Sequence, residues 1–267
     1  MSPPPVVPRA ALARATLLHA DRVFRRSLRM PEVVLQTVVV PVGLLFLLLA
    51  VFGEVVPGGA AAGLDRDAYA ARLVVLMVLS SAVTGGSGSG TALITERQQG
   101  LLSRFRTQPV PHVAPLAGRV LGDAARGLVG AGALVLVGHL VGFRFSSGLP
   151  GAVAFFGIAL LYASAFGWLV TLVALRARSP ETVHALNPLF VLLLFVNGAI
   201  VPVEAFPGWA QPLVAAAPHT GAVEALVGLA AGGPVLAPML ATLAWIGGLT
   251  AIFAPLAVAS FHRASRA

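Results

Sequence analysis

Residues 151–175 read GAVAFFGIALLYASAFGWLVTLVAL, twenty-five residues without one charged side chain. The hydrocarbon core of a bilayer is about 30 Å thick and is crossed by about 20 mostly apolar residues in a helix. Five further stretches meet the same requirement: Val33–Phe52, Tyr69–Ile94, Val113–Val141, His184–Val201 and Val235–Phe261. In lipid every backbone N–H and C=O must find its partner inside the protein, which leaves helices and closed barrels as spanning structures. Apolar runs of this length are helices. The sequence therefore predicts an all-α, polytopic membrane protein with six transmembrane helices. The third and sixth stretches are long enough to tilt or to begin in the interface.

The composition agrees. Of 267 residues, 57% are hydrophobic and 10% are charged, against about 25% charged in soluble domains. The mean hydropathy is +0.89. The chain has no cysteine, which excludes a disulfide framework and a thiolate metal site. Its net charge of +8 comes from arginine alone, because there is no lysine. A P-loop requires a lysine that reaches the β/γ-phosphates, so this chain carries no nucleotide cassette of that type. The arginines flank apolar runs, so they are read as setters of topology rather than a nucleic-acid surface.

With the N-terminus inside, Arg9, Arg14, Arg22, Arg25, Arg26, Arg29, Arg97, Arg104, Arg106, Arg119, Arg126, Arg176, Arg178, Arg263 and Arg266 face the cytoplasm, and Arg66, Arg72 and Arg144 face out. That is 15 against 3, and the opposite orientation would reverse it. The positive-inside rule then predicts both ends in the cytoplasm, in the inner (plasma) membrane. Ahead of the first span, Arg9–Met30 reads as an amphipathic helix within a cytoplasmic segment 1–30. Ala13, Leu17, Ala20, Phe24 and Leu28 fall on one side of its wheel, and Arg14, Arg22, Arg25, Arg26 and Arg29 on the other. Such a helix lies in the interface with its arginines toward anionic headgroups. Met1–Pro8, with three consecutive prolines, reads as disordered. A cleaved signal peptide does not fit, since the region before the first apolar run is too long and five more spans follow. The transmembrane domain is 31–262.

Two connections are unusual. Thr95–Pro111, TERQQGLLSRFRTQPVP, is polar, opens on a Thr-Glu start signal and ends at prolines, which predicts a short interfacial helix over 95–108. The outer stretch Pro202–Pro234 is too apolar for an ordinary loop and too broken by proline for a span. Pro202, Pro207, Pro212 and Pro218 punctuate a segment that also holds Glu204, Gly208, Trp209 and Glu224. It is expected to form two short helices turning near Pro218–Gly221, a re-entrant hairpin resting on spans five and six, with Trp209 at headgroup level. Two roles stay open for it, closing the pathway or sealing the fold.

Candidate sites are few. Thr84–Thr91, TGGSGSGT, fails the G-x-G-x-x-G pattern and lies in an apolar span, so close helix packing at Gly86-xxx-Gly90 is weighed above a ligand-lining role. Gly118-xxx-Gly122 and Gly138-xxx-Gly142 have the same spacing. Arg119, Asp123 and Arg126 share one face of the third span near its cytoplasmic end, where Asp123 can pair with either arginine. A structural ion cluster is preferred to a substrate site there. Glu204, His219 and Glu224 have spacings that match no common zinc pattern and read as a polar rim of the hairpin. His139 and His184 are isolated. No metal site, catalytic constellation or mid-span proton relay is expected.

The two connections also carry a resemblance. Glu96-Arg97, Gly100-Leu101-Leu102 and Pro109 resemble the E-R-x-x-G-x-L motif of ABC-2 type permeases. Gly198–Trp209, GAIVPVEAFPGW, with Gln211-Pro212, Pro218 and Ala225-Leu226, resembles that family's V-P-x-x-x-x-P-G-W-x-Q-P…P…A-L-R-G segment, most closely in its daunorubicin-resistance-type (DrrB/DrrC-like) actinobacterial branch. Gly232-Gly233-Pro234-Val235 and the terminal His262-Arg263-Ala264-Ser265 fit the DrrC-type branch. Val227 departs from the pattern, where arginine is common, and is assigned no role.

The resemblance implies an ABC exporter permease that is not itself an enzyme. It implies two separate ATPase subunits that hold ATP and Mg, a second permease chain, identical or paralogous, and a cargo of hydrophobic drugs or cell-envelope lipids, as in antibiotic resistance and lipid transport. No cofactor is expected on this chain, and its remaining partners are membrane lipids rather than nucleic acid. Residues 95–108 would be the coupling helix, with Leu101, Leu102 and Phe105 in an ATPase groove and Arg104 and Arg106 at its rim. The competing reading of that segment is a helix lying on lipid. The competing function is a membrane-embedded enzyme or assembly factor without an ATPase, and the polar residues an enzyme needs at one depth are missing.

Overall fold

The computed structural model describes residues 9–28, 35–52, 66–84, 86–99, 113–198 and 201–264. In chain order the helices are α1 (Arg9–Leu28), α2 (Val40–Phe52, entered through a π-helical turn at Leu35–Val39), α3 (Arg66–Thr84) and α4 (Ser87–Gln98). They continue with α5 (Val113–Gly138, closed by a 3-10 turn at His139–Val141), α6 (Gly148–Arg176), α7 (Glu181–His184) and α8 (Leu186–Phe195). A 3-10 turn at Val203–Ala205 leads to α9 (Gln211–Ala215), α10 (Pro218–Ala231) and α11 (Leu236–Ala264). No strand occurs among the described residues.

Four runs among these residues are long and apolar enough to cross a membrane: Asp67–Gln98, Ala114–Val141, Gly148–Arg176 and Leu236–Arg263. Leu35–Val51 is a shorter apolar helix. The expected fifth span, His184–Val201, differs most. Its helix, α8, has 10 residues and ends in a turn around Val196–Gly198, so at 1.5 Å per residue it covers about half a bilayer core.

A helix that is apolar on every side has to be surrounded. In α3 the run Leu73–Leu79 is fully buried, with α2, α5, α6, α8 and α10 packed around it. α11 is the opposite case. It touches α6 and α10 but exposes Leu236, Leu240, Trp245, Ile252 and Leu256, which is the face a lipid tail would cover.

Lipid tails are as apolar as leucine, so helices in a membrane are held by close packing, and small residues permit it. A Cβ on Gly90 would stand 2.9 Å from Val170 Cγ1 and 3.0 Å from Val183 Cγ1, so α4 lies hard against α6 and α7 there. A Cβ on Gly118 would meet His19 Cβ at 2.5 Å and the Thr16 carbonyl at 2.7 Å. One on Gly122 would meet the Ala20 carbonyl and Val23 Cβ at 2.8 Å. The Gly118-xxx-Gly122 pair is thus the groove in α5 that seats α1.

The protein-facing strip of α1 is Thr16, His19, Ala20 and Val23, while Leu17 and Leu18 stay exposed. On the predicted apolar side Ala20 points to the groove, whereas Ala13 and Leu17 are exposed. The expectation for Met1–Pro8 lies outside the described residues.

At the opposite end of α5, Gly142 has φ of 99°, and a Cβ there would strike the Asp67 carboxylate at the start of α3. Arg144 donates to the His139 carbonyl at 2.5 Å and the Phe143 carbonyl at 2.9 Å, closing the end of this helix. The 202–234 segment gathers nearby. Pro212 and Pro218 sit in the first turns of α9 and α10, where a missing N–H costs nothing.

α10 rests on α11, α3 and α6, so on the second and fourth stretches as well as the sixth, and the end of the fifth reaches it where the Gly198 N–H donates to Thr220 Oγ1 at 3.2 Å. The reason is its buried side, Ala222, Val223, Ala225, Leu226 and Ala230, which fits between the long helices while the truncated α8 offers little surface. Ser146 and Ser147 accept the role of cap for its last turn, with their hydroxyls donating to the Ala230 and Leu229 carbonyls respectively. Trp245 Nε1 donates to the Ala216 carbonyl at 3.0 Å.

His219 is not on the rim. It is 1% exposed, with Nδ1 3.1 Å from the Tyr162 hydroxyl, and it lies edge-on to the rings of Tyr162 and Phe166. As the second residue of α10 it lies on the side that α6 covers. Glu204 and Glu224 are exposed as expected. Tyr162→Phe removes the partner of a buried imidazole and is expected to cost about 1–3 kcal/mol. Replacing both residues by phenylalanine costs less than the two single changes together. Thermal midpoints of the four proteins in detergent check this, and additive losses would refute it.

Candidate coupling site at the arginine-rich end

Where α4 ends, its last turn is tied to two other helices. Glu96 accepts from Arg119 Nη2 of α5 in a close ion pair, with side chains 22% and 13% exposed respectively. The second amino group of Arg119 donates to the Ser89 carbonyl at 3.0 Å. Arg97, the next residue, donates to the Leu175 carbonyl at 2.6 Å and to the Ala177 carbonyl. Those are among the orphan acceptors at the C-terminus of α6, where a guanidinium also meets the negative end of the helix dipole. Gln98 Nε2 donates to the Arg178 carbonyl at 3.2 Å. Glu96 and Arg97 therefore fasten one turn of helix to α5 and α6 at once.

The expected helix start at Thr95 is corrected here. Thr95–Gln98 are the last residues of α4, and the Gln99 N–H still reaches the Thr95 carbonyl at 3.0 Å. The Thr95 hydroxyl bonds back to the Thr91 carbonyl at 3.2 Å, as a mid-helix threonine does, instead of capping a new helix. Gly100, Leu101, Leu102, Arg104, Phe105 and Arg106 lie outside the described residues.

One turn deeper on α5, Asp123 and Arg126 are 8% and 5% exposed at the side chain. Their closest charged atoms are 3.7 Å apart, beyond hydrogen-bonding distance. Asp123 Oδ1 and Arg126 Nε are buried without a hydrogen bond among the described residues. Arg119 thus pairs with Glu96 and Asp123 faces Arg126, an arrangement that the helical spacing alone leaves undecided. On the far side of this cluster, Arg176 Nε donates to Ser260 Oγ of α11 at 3.3 Å. Among the described residues the site is an ion network. No group of three or more His, Asp or Glu suited to a metal occurs among the described residues.

The outer-segment residues do not join it. Trp209 is 76% exposed. Gly208 has open space around it, and Gln211 Nε2 closes the turn that contains Pro207 by donating to the Phe206 carbonyl at 3.0 Å. Pro202 precedes the 3-10 turn.

The ABC-2 type transporter family profile matches residues 14–230, from within α1 to the end of α10. The chain belongs to the ABC-2 type transporter family. The permease is 33% identical over 251 residues to the probable doxorubicin resistance ABC transporter permease protein DrrC of Mycobacterium tuberculosis (strain ATCC 25618 / H37Rv), covering 94% of this chain and 89% of that one. It is 31% identical over 249 residues to the daunorubicin resistance ABC transporter permease protein DrrB1 of Streptomyces coeruleorubidus, covering 93% and 86%. With the doxorubicin resistance permease protein DrrB of the same mycobacterial strain it shares 28% over 209 residues, 74% and 70% of the two chains. The protein is a membrane permease subunit of an ABC transporter. Glu96 and Arg97 stood out in sequence by motif. Arg119 stood out as well, but its pairing with Glu96 and that of Arg97 with the end of α6 had no sequence signal, because they span 23 and about 80 positions.

Proposed function

We propose that this permease exports hydrophobic or amphipathic cargo, drugs or cell-envelope lipids, driven by two ATPase subunits that hold ATP and Mg. A second permease chain, identical or paralogous, completes the pathway. The chain then passes the inner membrane six times with both termini inside, the fifth pass made by the half-length α8 and the chain that follows it, while α1 lies in the cytoplasmic interface and 202–234 forms a re-entrant hairpin at the outer mouth. The observation that carries the reading is the double attachment of Glu96 and Arg97. A segment that begins at Gln99 and is gripped by an ATPase pulls on α5 and α6 together, which an isolated interfacial helix on lipid would not do. The drug-resistance names of the relatives support the cargo class. That both a DrrC and a DrrB of one organism match supports a paralogous partner.

The test is co-purification in detergent with a co-expressed ABC ATPase of the same genome. Expected is a stable complex that loses its ATPase when residues 99–109 are replaced by a Gly/Ser linker. Retention of the ATPase by that variant would remove the coupling assignment. Orientation is checked on the naturally cysteine-free chain. Cysteines at Asp65 and Gly208 are expected to label from outside intact cells, and those at Ser103 and Ser179 to stay unlabelled. Outside labelling at Ser103 would overturn the six-span arrangement.

A further inference from the structure

Arg119 stands between two carboxylates. Glu96 holds it now, from the last turn of α4. Asp123 follows it by one turn on the same face of α5, the spacing at which helix side chains meet. Asp123 Oδ1 accepts no hydrogen bond among the described residues, and the Arg126 guanidinium stands 3.7 Å away. Ser89 links the two seats, since its carbonyl binds Arg119 and its side chain reaches Asp123.

We propose that Asp123 is the second seat of Arg119. It is a positioning residue that receives the guanidinium when movement of the coupling segment withdraws Glu96. This rests on the coupling assignment above. The physical reason is the cost of the alternative. Arg119 is 13% exposed, and a buried charge stripped of its partner is strongly unfavourable. With Asp123 in reach, Arg119 keeps a carboxylate partner after the movement and is not left as a lone buried charge. Arg126 stands beside Asp123 meanwhile, its Nη2 3.7 Å from Oδ1. Among the described residues the remaining ion pair, Arg25–Asp21, is an exposed pair on α1 and offers no competing seat.

The experiment uses the permease–ATPase complex in proteoliposomes and reads kcat and KM for ATP together with the thermal midpoint. Asp123→Asn is expected to lower kcat about tenfold, within the usual range of coupling between sites, with KM for ATP unchanged. Asp123→Glu, which keeps the carboxylate, retains most of the rate. Because both residues act on one arginine, Glu96→Gln/Asp123→Asn is no slower than the slower single variant. Independent roles would multiply, and a multiplied loss overturns the proposal.

Asp123→Asn also removes the carboxylate beside Arg126, so Asp123→Asn/Arg126→Gln is the second variant. It removes that neighbouring charge as well and still lacks the seat. Slow turnover in this pair supports the proposal, and wild-type turnover shows that Asp123 only neutralises Arg126, which overturns it. The coupling assignment fails separately: Glu96→Gln at the wild-type rate removes it, whereas a slow Glu96→Gln beside a normal Asp123→Asn removes only the second seat.

Discussion

Arg119→Ala and Glu96→Ala are each expected to stop ATP-driven transport while the helical bundle still folds. The lost interaction is a charge-assisted contact between two mostly buried groups. Deleting one partner is expected to cost about 2 kcal/mol locally, roughly a thirtyfold shift in how often the end of α4 stays attached to α5. The bundle survives because the interior of α3 and the glycine contacts of α4 and α5 are untouched. Arg97 still holds the same turn to α6, so the attachment becomes one-sided and a pull from the ATPase no longer moves α5 with α6. Gly100→Pro acts next to this site and is expected to give the same phenotype, with a cost of roughly 3 kcal/mol if that position is inside a helix. ATPase binding and cargo-stimulated hydrolysis are the measurements. Wild-type values for both in Glu96→Ala and Gly100→Pro would mean that this turn transmits nothing.

The second large effect is expected at Gly122. A Cβ at this position would already stand 2.8 Å from the Ala20 carbonyl and Val23 Cβ, and backbone cannot move aside as a flexible side-chain tip can. Gly122→Leu therefore forces α1 off α5. Overpacking of this kind costs about 1–3 kcal/mol where neighbours can adjust, and here the adjustment is loss of the seat. The freed helix offers Arg14, Arg22 and Arg25 to trypsin, so cleavage in α1 is expected to quicken about tenfold or more. Gly132→Leu is the control, because its side is open, with nothing within 4 Å of the added Cβ. Equal cleavage rates in the two variants would show that α1 is not held by the groove.

These glycines show what a sequence can carry. Gly118-xxx-Gly122 announces a close approach but not its partner, and nothing in Arg9–Leu28 says that Thr16 and His19 rather than Leu17 will turn inward. Helical class and the long apolar runs were legible because the bilayer imposes length and composition. Glu96-Arg97 was legible because it is a local motif. The end of α4 was misplaced because a Thr-Glu pair looks alike at a helix start and inside a helix, and only the distant Arg119 and the carbonyls of α6 decide between them. For the same reason the sequence alone places His219 on the rim. Its burial is set by Tyr162, fifty-seven positions away.

The π-helical turn at Leu35–Val39 has a consequence for chain length. Each turn of this kind holds one residue more than an α-helical turn, and that extra residue lets the Thr37 carbonyl accept the Ser81 hydroxyl at 3.3 Å while Gly130 closes on Thr37. Removing one residue from an ordinary helix rotates everything beyond it by about 100° and misaligns every contact downstream. Removing one here converts the widened turn into a regular one, so α2 keeps its facing toward α3. Relatives one residue shorter at this point are therefore able to share the same bundle, with the Ser81 hydroxyl left to bond within its own helix.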